Sequence, residues 1–169
     1  MNDKFYQDYL EELKEIRPCT DKEREMLFGR LAAGDKKAGE RLIEGHLIFA
    51  LAIAKDFKDQ GVLAGDLVQE ANLALTMAVW EYREGDFLAQ AKDRILAHIQ
   101  AVIREQKQER ETGEALAARV NVLQELSARM AGELGREATV EELAERVQTT
   151  SEEIKGMMKL AVDALRVVE

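Results

Sequence analysis

Proline and cysteine are nearly missing from this chain of 169 residues, with one of each, and aromatic residues make up only 5% of it. Each scarcity excludes something. A single cysteine, Cys19, can form no internal disulfide and no paired-thiol metal or redox centre, so the fold must stand on packing. One proline, Pro18, and 11 glycines, with few runs of β-branched residues, favour helices over sheet. No apolar run approaches the roughly 20 residues that a membrane span needs. The N-terminal Met-Asn-Asp-Lys-Phe-Tyr lacks a basic stretch followed by an apolar one. The expectation is a soluble chain in a reducing compartment such as the cytoplasm.

Excess positive charge is also missing. The chain has 24 Lys and Arg against 33 Asp and Glu, a net charge of −9. Residues 1–60, 61–111 and 112–169 carry −2, −3 and −4, so no segment is basic. Broad capture of nucleic acid needs clustered cations that displace counterions, and any contact here must be narrow or assisted by a partner. A content of 46% hydrophobic and 34% charged residues is too apolar for a disordered chain.

What is present is helical periodicity. Phe5, Tyr9, Leu13 and Ile16 make a stripe over a first helix from about Asp3 to Ile16, which Pro18 ends. Thr20-Asp21-Lys22-Glu23 has the form of a capping box opening a helix to about Ala33. After Gly34-Asp35 a longer helix reaches about Lys58. Its segment Leu47 to Ala54 is apolar on all sides, the pattern of a helix at the centre of a bundle. Beyond Gly61, Leu67, Val68, Ala71, Leu75, Ala78 and Val79 form the next stripe. A fifth helix, about Leu88 to Gln108, carries Ala91, Ile95, Ile99, Val102 and Ile103 and ends in the mixed-charge run Arg104 to Glu111. Past Thr112-Gly113, a stripe from Ala117 to Leu134 stops at Gly135. Thr139-Val140-Glu141-Glu142 and Thr150-Ser151-Glu152-Glu153 are two further capping boxes, which set two short helices in a spacing like helix-turn-helix. The expected domains are 1–111 and 112–169.

Catalytic groupings are absent from the pattern. His46 and His98 are isolated, without the Glu-x-x-His or His-x-x-x-His spacing of helical metal sites. Cys19 reads as an inert thiol. There is no phosphate-cradling glycine loop and no Gly-x-Ser-x-Gly. The reading is a non-enzyme with no cofactor.

The specific stretch is Asp66-Leu67-Val68-Gln69-Glu70-Ala71-Asn72-Leu73-Ala74-Leu75. Asp66, Gln69 and Glu70 fall within one turn, with Asn72 to the side. This string resembles the Asp-Leu-Ile-Gln-Glu-Gly-Asn-x-Gly-Leu element of housekeeping-type bacterial RNA polymerase sigma factors, the sigma-70 family. The flanks resemble it too: Tyr9-Leu10-Glu11-Glu12-Leu13, Gly34-Asp35, Leu42-Ile43-Glu44 and Ala52-Ile53-Ala54-Lys55 come in the family's order, as does Leu134-Gly135-Arg136 through Leu143-Ala144. The resemblance implies an all-α fold, a core-polymerase-binding helical domain followed by a small three-helix domain. It implies a bacterial transcription protein in which Asp66, Gln69, Glu70 and Asn72 dock on the coiled coil of the polymerase clamp. Ala71 and Ala74 stand where the family usually has Gly, and their methyl groups are expected to crowd a partner that approaches the backbone closely.

The family opens promoter DNA with the aromatic-rich Phe-x-Thr-Tyr-Ala-x-Trp-Trp-Ile-Arg-Gln. Aligned on Phe87 and Ile95, this chain has Gln90 for the Tyr, Asp93 and Arg94 for the two Trp, and Leu96-Ala97 for Arg-Gln. Losing two or three stacked bases at about 1–3 kcal/mol each predicts weakened strand opening. Phe87, Arg94, Lys155 and Lys159 are the remaining candidates for DNA contact. Among the last helix's cations, Lys155, Lys159 and Arg166 are balanced by Glu152, Glu153 and Asp163, and Gln148 stands at the turn where the family has Gly. The chain ends at Glu169, before the family's polymerase-channel segment and C-terminal promoter-reading domain. The alternative reading is a helical protein-interaction module on an inherited scaffold of this kind, without polymerase or DNA binding.

Overall fold

The computed structural model describes residues 4–166 of the backbone, and side chains up to residue 162. Among the described residues the fold is all helical: α1 (Lys4–Leu13), α2 (Asp21–Ala32), α3 (Lys36–Lys55), α4 (Ala64–Glu81), α5 (Phe87–Leu134), α6 (Val140–Val147) and α7 (Ser151–Arg166). The chain divides into two compact units, Met1–Lys107 and Gln108–Glu169.

In the first unit α3 packs most extensively on α4. The α4 stripe of Leu67, Val68, Ala71, Ala74, Leu75 and Val79 is fully buried, and Leu42, Ala50 and Ala54 of α3 meet the same core. Phe87, Ala91, Ile95 and Ile99 recur every four residues along α5 and enter it as well. Each large side chain buried there contributes about 1.5–3 kcal/mol over its exposed state. Two glycines of α3 are set by close approach. A methyl at Gly39 would lie 2.7 Å from the Trp80 indole, and one at Gly45 would collide with Cys19 Sγ. The Cys19 amide also donates to the Gly45 carbonyl at 3.0 Å, which fixes the link after Pro18 on the α3 surface. Burial pushes the Cys19 thiol up in pKa and so disfavours the reactive thiolate.

Several boundaries and faces differ from the sequence expectation. The first α-helix ends at Leu13 and continues only as turns to Ile16. Thr20 caps α2 by accepting from the Glu23 amide, but the Glu23 carboxylate does not close the box; it pairs with Arg17 at 2.9 Å and Arg41 at 3.1 Å. The apolar segment of α3 is not buried all round. Ile48 and Ala52, one turn apart, are exposed because α2 and α4 cover other faces of the helix. The largest correction is in α5, which runs through the mixed-charge segment and Gly113 without a break. Residues 104–111 are all good helix formers, and one interior glycine costs only about 1 kcal/mol against alanine. Arg110 and Glu114, 3.9 Å apart, and the Thr112 hydroxyl donating to the Gln108 carbonyl at 2.8 Å line this stretch.

The second unit is built on Leu123, Leu126 and Met130 of α5 against Leu143 and Ala144 of α6 and Ile154 of α7. Gly135, with φ of +66°, ends α5. Thr139 and Glu142 form a complete capping box, and Arg136 clamps the Glu142 carboxylate at 2.6 Å, holding its pKa down to about 2. Thr150 accepts from the Glu153 amide, while the Glu153 carboxylate accepts from the Thr149 hydroxyl instead of closing a second box. Gln148 takes the left-handed conformation at the α6 C-terminus, with φ 59° and ψ 46°. That conformation strains an L-residue by about 1–2 kcal/mol.

His46 is 4% exposed, and its Nδ1–H donates to the Leu42 carbonyl at 2.7 Å. Its Nε2 has no hydrogen-bond partner. Burial holds its pKa below the ordinary histidine value, so protonation favours the unfolded chain. The stability this neutral ring contributes is complete above about pH 6.5 and declines as the pH falls from there toward the lowered folded value.

Two outcomes follow for thermal melting. Gln148→Gly raises the melting temperature of the second unit, reflecting a gain of about 1 kcal/mol. His46→Phe reduces the loss of first-unit stability between about pH 6.5 and 5, measured as melting temperature against pH.

Candidate functional site

The packing of α4 determines which of its side chains remain available. Ala71, Ala74, Leu75 and Ala78 face inward, so the residues on the opposite side, Asp66, Gln69, Glu70 and Leu73, face out. Gln69 is exposed, Asp66 and Glu70 are partly exposed, and Leu73 is 50% exposed. Three polar groups within one turn thus precede an uncovered leucine on the same face. The Glu70 carboxylate leans toward α5, with Oε2 3.6 Å from His98 Nδ1, beyond hydrogen-bond length.

Asn72 is placed differently. Its amide nitrogen donates to the Tyr9 hydroxyl at 3.0 Å, and the Tyr9 hydroxyl lies 3.2 Å from the Asn72 amide oxygen. Tyr9 is half-buried, and its desolvation raises the phenol pKa, keeping the hydroxyl neutral. Asn72 therefore ties α1 to α4 across 63 residues of sequence, while the other three groups remain on the outward face. Sequence spacing had set Asn72 to the side of the other three, but gave no sign of its partner.

The expected crowding by Ala71 and Ala74 does not arise on this face. Both residues are fully buried, and their methyl groups fill the protein's own core.

The candidates for DNA contact separate in the same way. Phe87 is 4% exposed, with its ring 4.8 Å from Phe28, 5.2 Å from His46 and 5.6 Å from Tyr82. It is the only aromatic Phe, Tyr or Trp in α5, so that helix presents no ring of this kind for a base to stack on. Arg94 pairs with Glu81 at 2.6 Å, and this lowers the Glu81 pKa. The Gln90 amide donates to the Glu84 carbonyl at 2.7 Å, and Asp93 is exposed. Lys155 and Lys159, one turn apart on α7, are exposed beside Glu152 and Glu153. The side chains of Asp163 and Arg166 lie outside the described residues. Burial of Phe87 was beyond sequence reasoning because its partners Phe28 and His46 are on α2 and α3.

Comparison with known proteins adds to this geometry. Residues 118–165 match the family model for sigma-70 region 3. Over 156 residues, 90% of the chain, it is 31% identical to the RNA polymerase sigma factor SigA of a Bacillus species. It is 30% identical over the same length to the RNA polymerase sigma factor SigA of Clostridium acetobutylicum. The chain spans 41% of the length of each of these relatives.

The Tyr9–Asn72 pair is measurable by a double-mutant cycle of Tyr9→Phe and Asn72→Ala. The expected coupling is about 0.5–1.5 kcal/mol in denaturant unfolding; additive single effects would contradict the bond.

Proposed function

We propose that this chain, a divergent member of the sigma-70 family, binds core RNA polymerase at the clamp coiled coil through the outward face of α4 and contributes weakly to holding promoter strands apart. It acts in transcription initiation or its modulation. The observation that carries the reading is the coincidence of Asp66, Gln69 and Glu70 with the uncovered side of α4 around Leu73. Carboxylates and a carboxamide can meet Arg and Lys side chains or main-chain groups of a partner helix, and the exposed leucine one turn on supplies apolar area beside them. Asn72 serves this face indirectly, by fixing α1 against α4.

The weakened strand opening rests on α5. Stacking platforms hold single strands apart, and Gln90, Asp93 and the Glu81-paired Arg94 occupy the positions where the family's rings stand. The acidic balance in every segment acts in the same direction, because phosphate contacts need unpaired cations. As an all-helical member of this family the chain needs no catalytic group for such a role. The matches to RNA polymerase sigma factors support polymerase as the partner.

Binding of the purified protein to core polymerase tests the reading. The parent binds, and Asp66→Asn combined with Gln69→Ala binds at least tenfold more weakly, a loss of about 1.4 kcal/mol, while its melting temperature stays close to the parent's. Absence of binding by the parent would overturn it.

A further inference from the structure

A groove of about 500 Å³ in the first unit lies away from the Asp66–Glu70 turn, lined by Phe28 and Leu31 of α2, Lys36 of α3, Trp80 of α4, and Tyr82 and Arg83 beyond it. Its volume falls within the range of small-molecule sites. We propose that this groove binds a free nucleotide, with the base against the Trp80 indole and the phosphates between Lys36 and Arg83.

The aromatic wall is held in place before any ligand arrives. The Trp80 indole packs over Gly39, where no side chain could fit without displacing it, yet the residue remains 40% exposed. Tyr82 lies 4.2 Å from Phe28 between ring centroids, and its hydroxyl donates to the Gly85 carbonyl at 2.7 Å. Stacking a base on such a surface is worth about 1–3 kcal/mol.

The charge at the groove is the reverse of the molecule's. Lys36 and Arg83 are its two lining cations, and no carboxylate lines it. Of the neighbouring acids, Asp35 is engaged by Arg30 at 2.7 Å and Glu81 by Arg94 at 2.6 Å, while Glu84, next to Arg83 in sequence, is exposed. Arg83 is oriented by its own main chain, with Nη1 donating to the Tyr82 carbonyl at 3.0 Å. An aromatic wall beside two cations, in a chain of net charge −9, selects a flat ring that carries negative charge. A bare phosphate would leave the wall unused, and a neutral aromatic would leave the cations unused. The inference is independent of polymerase binding, since none of its residues belongs to the proposed docking set.

Trp80 is the only tryptophan in the chain, so its fluorescence reports the groove directly. The full chain is titrated with ATP, GTP, UTP, inorganic pyrophosphate and a short single-stranded oligonucleotide. Saturable quenching is expected with ATP and GTP, more weakly with UTP because a pyrimidine stacks less area, and not with pyrophosphate. Lys36→Glu and Arg83→Glu each weaken the ATP response at least tenfold. Lys36→Glu places an acid at the N-terminal end of α3, where it favours the helix, so this variant keeps the test valid if Arg83→Glu disturbs the link after α4. Quenching that never saturates, that is unchanged in Lys36→Glu, or that occurs with the oligonucleotide alone would overturn the assignment.

Discussion

The inward packing of α4 against α3 constrains the rest of the first unit. Once Ala71, Ala74, Leu75, Ala78 and Val79 are committed to the core, helical geometry leaves Asp66, Gln69, Glu70 and Leu73 on the other side. The two alanines matter because small residues let α4 sit close to its neighbours, and a larger side chain at either fully buried position would overpack the core. Gly39 and Gly45 do the same on α3, admitting the Trp80 indole and the Cys19 thiol. Close approach along this helix pair thus sets both the outward polar turn and the aromatic groove at the far end of α4.

The same packing takes the one aromatic residue of α5 into the core. Phe28, Tyr82, Phe87 and His46 form one cluster inside the unit, so the single phenylalanine of α5 stabilises the fold and is not offered to a ligand. A helix that held melted strands would need rings facing outward, and α5 instead presents Gln90, Asp93 and Arg94. Under the proposed function, the outward turn of α4 meets the partner, and α5 offers polar side chains where rings would be needed.

Much of the fold was legible because it depends on local rules. The stripes of α4 and early α5, the Thr139–Glu142 box and the stop at Gly135 all follow from residues within a few positions of one another. What escaped was decided by distant groups or by small energy differences. Asn72 finds Tyr9 across 63 residues, and Glu23 gives up its box for Arg17 and Arg41. Gly113 reads as a break, yet its cost is smaller than the helix preference of the residues on either side. Leu47 to Ala54 reads as buried on all sides because composition shows how apolar a helix is, not how many neighbours it has; Ile48 and Ala52 remain uncovered. At the candidate site, the sequence spacing placed Asp66, Gln69 and Glu70 together with Asn72 to the side, and only the three-dimensional packing gave Asn72 its Tyr9 partner and moved Phe87 inside.

The proposed function requires polymerase contact together with weakened strand holding. Permanganate reactivity of unpaired thymines measures it most directly, on a supercoiled promoter incubated with core polymerase and this chain. The account predicts that the protein co-migrates with core polymerase while thymine reactivity stays near that of core alone. Strong reactivity across the melted region, at the level a housekeeping sigma factor produces, would contradict it.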